Sequence, residues 1–125
     1  MNRNVKIFHK HSLEYDKWFD KHSGIYQSEI LALKKAIPKN KNGIEIGSGT
    51  GRFSFPFKIN IGVEPSSNMT KFAEQKGMTV VNAVAENLPF HKHSFDFALL
   101  VTTVCFLKDI PKSFSEVHRI LKPKG

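Results

Sequence analysis

A single cysteine, Cys105, stands among 125 residues, which excludes an intrachain disulfide framework and any zinc site built on several thiolates. A lone thiol fits a reducing compartment, so the expected location is cytoplasmic. No stretch approaches the roughly 18 apolar residues of a membrane span. The opening Met1-Asn-Arg-Asn-Val-Lys-Ile-Phe-His-Lys also lacks the apolar centre of a secretory signal. Neither a membrane partner nor export by that route is expected. Internal repeats, low-complexity tracts and Pro/Gly-rich linkers are absent too, which argues for one continuous domain. Acidic residues are scarce, with 11 Asp and Glu against 19 Lys and Arg and a net charge of +8. Such a balance attracts anions without naming one. The surplus is spread along the chain, with no cluster beyond Lys34-Lys35 and the Lys39/Lys41 turn. A solvated surface is therefore favoured over a nucleic-acid stripe, and a basic nucleic-acid-binding protein is the weakest competing reading.

What is present suffices for a core: 40% of the residues are hydrophobic, and eleven are Phe. Residues 12 to 37 carry apolar positions at three- and four-residue steps (Trp18, Phe19, Ile25, Tyr26, Ile30, Leu31, Leu33, Ile37), interrupted near His22-Ser23-Gly24. This pattern predicts two helices, the first capped by Ser12 and the second ending at Pro38. Apolar runs at Ile44 to Ile46, Ile59 to Glu64, Met78 to Ala83 and Phe95 to Thr102 predict four strands. Between and after them, Ser66 to Lys76 and Ile110 to Leu121 predict helices, stopped by Gly77 and before Pro123. Strands alternating with helices imply right-handed crossovers and a parallel sheet with helices on both faces, a Rossmann-like α/β fold of about four strands. Ligands of such sheets sit beyond the carboxyl ends of the strands.

The most informative segment is Gly43-Ile-Glu-Ile-Gly47-Ser-Gly49-Thr-Gly51-Arg. Three glycines at alternate positions after a strand allow a tight turn and bring the backbone against a ligand. A Walker loop would need Lys-Ser/Thr after the last glycine, and the dinucleotide fingerprint would need a glycine where Arg52 stands, so pyrophosphate is disfavoured. The second strand ends Ile61-Gly-Val-Glu64-Pro-Ser-Ser, which places a carboxylate beside that loop, able to accept both hydroxyls of a ribose. After the third strand comes the turn Ala83-Val-Ala85-Glu86-Asn87-Leu88-Pro89-Phe90. Cys105 has no evident base and is expected to be a small buried apolar residue. The pairs His9/His11 and His91/His93 lie in polar, loop-like segments without carboxylate partners, so no metal site is expected.

Together these residues resemble the class I S-adenosylmethionine-dependent methyltransferases of the small-molecule type, over nearly the whole chain. Glu45-x-Gly47-x-Gly49-x-Gly51 is similar to the first motif of that family and Glu64 to its ribose acid. Ala85-Glu86-Asn87-Leu88-Pro89-Phe90 resembles its adenine-side turn, and Glu116 to Gly125 the helix and turn before its fifth strand. The resemblance implies S-adenosylmethionine as cofactor. Glu45 and the loop Gly47, Ser48, Gly49 and Gly51 would hold its methionine end, Glu64 its ribose, and Pro65, Ala85 and Glu86 its adenine. Where many relatives carry Asp before the Ala-Glu pair, this chain has Val84, which leaves backbone groups or Glu86 to meet the adenine amine. Thr102, Thr103, Val104 and Phe106 would face the methyl group, and Tyr15, Trp18 and Phe19 would close over it.

The implied activity is methyl transfer to a small-molecule acceptor, which needs alignment more than a dedicated base. No catalytic residue is singled out. An S-adenosylmethionine-binding module without activity is the second reading. The implied organisation is a helical cap segment over residues 1–38 and a cofactor-binding core over 39–125 that stops before a fifth strand. On that reading the fourth strand has an open edge and invites self-association.

Overall fold

The computed structural model describes residues 2–125. Three helices come first: α1 (Arg3–Lys10), α2 (Ser12–Lys21) and α3 (Ser23–Ala36). The sequence periodicity carries α2 and α3 but not α1, which is nucleated by Asn2, whose side chain accepts the Val5 N–H. Ser12 is not the cap of α2. It is the first helical residue, and His11 occupies the cap position with no side-chain hydrogen bond.

After the turn at Pro38, β1 (Gly43–Ile46) leads to β2 (Ile61–Val63), α4 (Ser67–Gln75), β3 (Thr79–Val81), β4 (Phe97–Leu99) and α5 (Ile110–Ile120). The four strands form one sheet in the order β3-β2-β1-β4, with every pair parallel. Strand order reverses between β1 and β4, and the sheet carries helices on both faces as expected.

The strands are shorter than the apolar runs that mark them, because the flanking backbone groups bond elsewhere. Ile59 N–H goes to Ser54 C=O, Met78 N–H to Ala73 C=O, and Phe95 N–H to Ile120 C=O. Beyond Leu99 the chain leaves the sheet, and Thr102 adopts a φ of 51°. For a β-branched residue that left-handed backbone is a local outlier, and it forms the elbow that turns the following residues toward β1.

Period-two alternation sorts the side chains of each strand onto two cores. Ile44, Ile46 and Val63 face α5, with Val117, Ile120 and Phe95. Leu99, Phe53 and Ile59 pack with Phe19 on the opposite face, where Tyr26, Ile30 and Leu33 of α3 close the layer. Gly43 leaves room for the Phe97 ring on the neighbouring strand, since a Cβ there would lie 2.2 Å from it. Cys105 differs from expectation. It is exposed on a short 3-10 turn after β4, with its Sγ against Thr102 C=O, because the apolar face of that turn is taken by Phe106.

Candidate functional site

All four strands point their carboxyl ends at one cavity of about 670 Å³, a size within the usual range for small-molecule sites. Its floor is Ile46 and Gly47 after β1, and Val63, Glu64 and Pro65 after β2. The walls are Ala83 to Glu86 after β3 and Val101 to Thr103 after β4. Asn2, Val5 and Phe8 of the α1 region, together with Tyr15 of α2, form the roof.

Glu64 sits in this floor, 9% exposed. Its Oε1 accepts the Gly49 N–H at 3.1 Å and its Oε2 the Ser66 N–H at 2.8 Å. One carboxylate thus ties the glycine turn to the start of α4 while keeping lone pairs on both oxygens for a ligand. Burial raises its pKa, against the lowering effect of the Ser66 and Gly49 amides. Ser66 in turn caps α4 through its Oγ and shares a 2.9 Å hydrogen bond with His9 of α1.

The glycine turn is built by position. Gly49 has a φ of +54°, and a Cβ there would stand 3.6 Å from the Tyr15 ring and 3.7 Å from the Met69 methyl. Any side chain would be strained and would enter the space between them. Gly51 serves packing instead, since a Cβ would come within 2.9 Å of Met78 Sδ and 3.3 Å of Ala73 in α4.

Of the residues singled out by the sequence, Gly47, Gly49, Glu64, Pro65, Ala85, Glu86 and Thr102 line the cavity, whereas Glu45, Ser48 and Gly51 lie behind its wall. Glu45 points to the other face of β1 from Ile44 and Ile46 and is 1% exposed. Its Oε1 accepts the Ser54 hydroxyl at 2.6 Å. Burial pushes its pKa up to about 8, against the Ser54 hydrogen bond and with the Glu64 charge adding. Ser48 Oγ is buried over Gly62 with no partner among the described residues. The Glu86 carboxylate accepts the backbone N–H groups of Lys108 and Asp109. Thr103 and Phe106 line the cavity but Val104 does not, and of the three cap residues only Tyr15 reaches it. Trp18 is 39% exposed, and Phe19 belongs to the core below.

Sequence reasoning missed two contributions. One is α1, whose only outward signal is an Asn cap followed by Val5 and Phe8 at helical spacing. The other is the clamp from α5. Arg119 donates to Leu88 C=O and Phe90 C=O, while Glu116 accepts the Leu88 N–H, so both hold the turn that follows Glu86.

Residues 44–125 match the model of a methyltransferase domain. The chain belongs to that methyltransferase family. A solved S-adenosylmethionine-dependent methyltransferase from Thermotoga maritima, described as a possible histamine N-methyltransferase, is 49% identical. It superposes with a TM-score of 0.90 over 94% of this chain and 56% of its own. An uncharacterized protein of Methanocaldococcus jannaschii is also 49% identical, over 97% of this chain and 58% of its own length. A demethylmenaquinone methyltransferase of Staphylococcus epidermidis is 24% identical over 95% of this chain and 56% of its own. The chain spans somewhat more than half the length of these relatives. Among the described residues no helix is long and apolar enough to cross a membrane.

Proposed function

We propose that the cavity binds S-adenosylmethionine and that the domain serves methyl transfer to a small-molecule acceptor. The observation that carries this reading is Glu64, a buried carboxylate at the end of β2 that reaches the cavity floor with lone pairs to spare. The site fits the cofactor. Glu64 would accept the ribose hydroxyls, and Pro65, Ala85 and Glu86 would flank the adenine. The turn at Gly47 and Gly49 would pass beside the methionine end, and Thr102 would lie beyond it toward the acceptor. Glu45, Ser48 and Gly51 would act from behind, by holding that turn in shape.

When bound, the cofactor supplies an activated methyl on a sulfonium, so the protein has to orient both reactants and exclude water. Phe8, Val101 and Phe106 give the upper cavity apolar walls suited to water exclusion. The possible histamine N-methyltransferase and the demethylmenaquinone methyltransferase are named for chemically different acceptors.

Calorimetric titration with S-adenosylmethionine or its demethylated product should give one site per chain. Turnover of methyl-labelled cofactor against a metabolite extract should follow. Binding without turnover would favour an inactive binding module. If neither ligand binds and nucleic acid binds with a steep salt dependence, the reading is wrong and the basic surface is the functional one.

A further inference from the structure

The cavity wall that follows β4 is a loop hung from its two ends. It contributes Thr102, Thr103, Phe106, Leu107 and Lys108. The backbone bonds inside it, Phe106 N–H to Thr103 C=O and Leu107 N–H to Val104 C=O, are local to one short turn. At the near end Thr102 makes its left-handed elbow, and Thr103 Oγ1 donates to Ile46 C=O at 3.3 Å. At the far end the N–H groups of Lys108 and Asp109 both donate to Oε1 of Glu86, at 2.7 and 3.1 Å. Between the ends, the Phe106 ring meets Phe8 of α1 edge to face with centroids 4.9 Å apart, and Asn2 Nδ2 lies 3.5 Å from Phe106 C=O.

Glu86 is a firm point of attachment, because the turn that carries it is gripped from α5 through Glu116 and Arg119. Asp109, whose amide it accepts, is itself the cap of α5 and receives the Lys112 N–H on its side chain. Glu86, Leu107 and Lys108 also line a second cleft of about 640 Å³, together with Ile110 and Lys112. The Glu86 hydrogen bonds therefore lie in the partition between the two spaces. Burial acts to raise the Glu86 pKa, but the amides of Asp109, Glu86 itself and Lys108 bring it below the ordinary value. The group is charged at neutral pH, and its hydrogen bonds are of the stronger, charge-assisted kind. Resting on the cofactor reading above, we propose that Glu86 is a positioning residue for methyl transfer: its carboxylate hangs the Thr103 to Lys108 wall from the turn after β3. In this role it sets the place of Phe106 on the acceptor side and keeps the cavity partitioned from the second cleft.

Cys105 is exposed on the same loop and is the chain's single cysteine, so a nitroxide attached there reports the mobility of the wall with no further substitution. Wild type, Glu86→Gln and Glu86→Ala are compared without cofactor, by the line shape of this label and by amide hydrogen exchange. In Glu86→Ala the label should gain mobility. The Lys108 and Asp109 amides should exchange about tenfold faster or more, as expected for the loss of a hydrogen bond to a charged group. Glu86→Gln keeps a carbonyl oxygen as acceptor and should lie between. The Leu88 amide, held by Glu116, should exchange as in wild type. An unmoved label with unaltered Lys108 and Asp109 exchange in Glu86→Ala overturns the proposal and leaves the carboxylate to the adenine. Leu88 exchange accelerated to the same degree also overturns it, because Glu86 would then act on the fold as a whole. Calorimetric titration of wild type with S-adenosylhomocysteine tests the cofactor reading separately. Binding upholds that reading whichever way the label moves, and no binding overturns it together with the role of Glu86 in methyl transfer.

Discussion

Two buried glutamates, Glu45 in β1 and Glu64 just after β2, have opposite work to do. Glu64 faces the cavity, where each oxygen already holds one backbone amide, and Glu64→Ala should weaken S-adenosylmethionine binding by about 1.5–3 kcal/mol, the range for hydrogen bonds to a charged group. Titration calorimetry checks this, and unchanged affinity would remove the ribose assignment. Glu45 has no ligand to meet, and its pKa of about 8 lies well above the ordinary 4.5. A folded state that keeps a proton the unfolded chain gives up loses stability as pH rises through that interval. The contribution of Glu45 is therefore complete below about pH 4.5, declines toward pH 8 and is flat beyond. Glu64 is shifted in the same direction. Urea unfolding at pH 5 and pH 8 should show wild type more stable at the lower pH, with a smaller difference in Glu45→Gln, which can still accept the Ser54 hydroxyl. An unaltered difference would show that Glu45 titrates normally.

Elements were legible where local pattern and tertiary demand agree. The Gly47 to Gly51 turn and Glu64 announce themselves because a strand terminus fixes where the next residues go, and Ser66 heads α4 in the way its residue type suggests. The eight residues of α1 bury no side chain fully and gain their order from Phe8 against Phe106 and Tyr15, and from His9 against Ser66. None of these contacts is local, so sequence spacing cannot display them. The same holds for the reach of Tyr15 over Gly49 and for the burial of Phe19 rather than Trp18, which depend on how α2 is rotated against the sheet. The ends of β4 were overdrawn because Phe95 and Leu100 are apolar for the sake of the α5 core, not of strand pairing.

Arg119 holds Glu116 well down, to a pKa of about 2, with the Leu88 amide adding to the effect. A depressed carboxylate stabilises above its unfolded value of 4.5 and loses that contribution as pH falls toward 2. Glu116→Leu, which keeps neither the charge nor the acceptor, should lower the melting temperature at pH 7, with the deficit shrinking toward pH 2. At pH 7 the Leu88 amide should exchange faster in the variant. Unaltered Leu88 exchange would mean that the turn after Glu86 is held by its own packing.

At the scale of the whole molecule the sheet is asymmetric. β3 and β4 are its edges, and β4 pairs with β1 alone. On the open side of β4, Leu121 forms a single parallel bridge with Phe95, and the Lys122 N–H reaches Phe95 C=O at 2.8 Å. Pairing on that side thus begins before β4 and is not continued along Phe97 to Leu99. The apolar face of α5 is also incompletely covered, with Ile110 41% and Phe114 49% exposed. An unpaired parallel strand beside exposed apolar side chains is the condition under which sheets recruit another strand. The 125-residue chain is accordingly predicted to self-associate through this edge at micromolar concentration. Light scattering should return a mass above 14.2 kDa that falls on dilution, with a melting temperature that rises with concentration. A clean monomer of the 125-residue chain with a cooperative, concentration-independent melt would show that the bridge at Leu121 and the charged surface around it are enough to protect the edge.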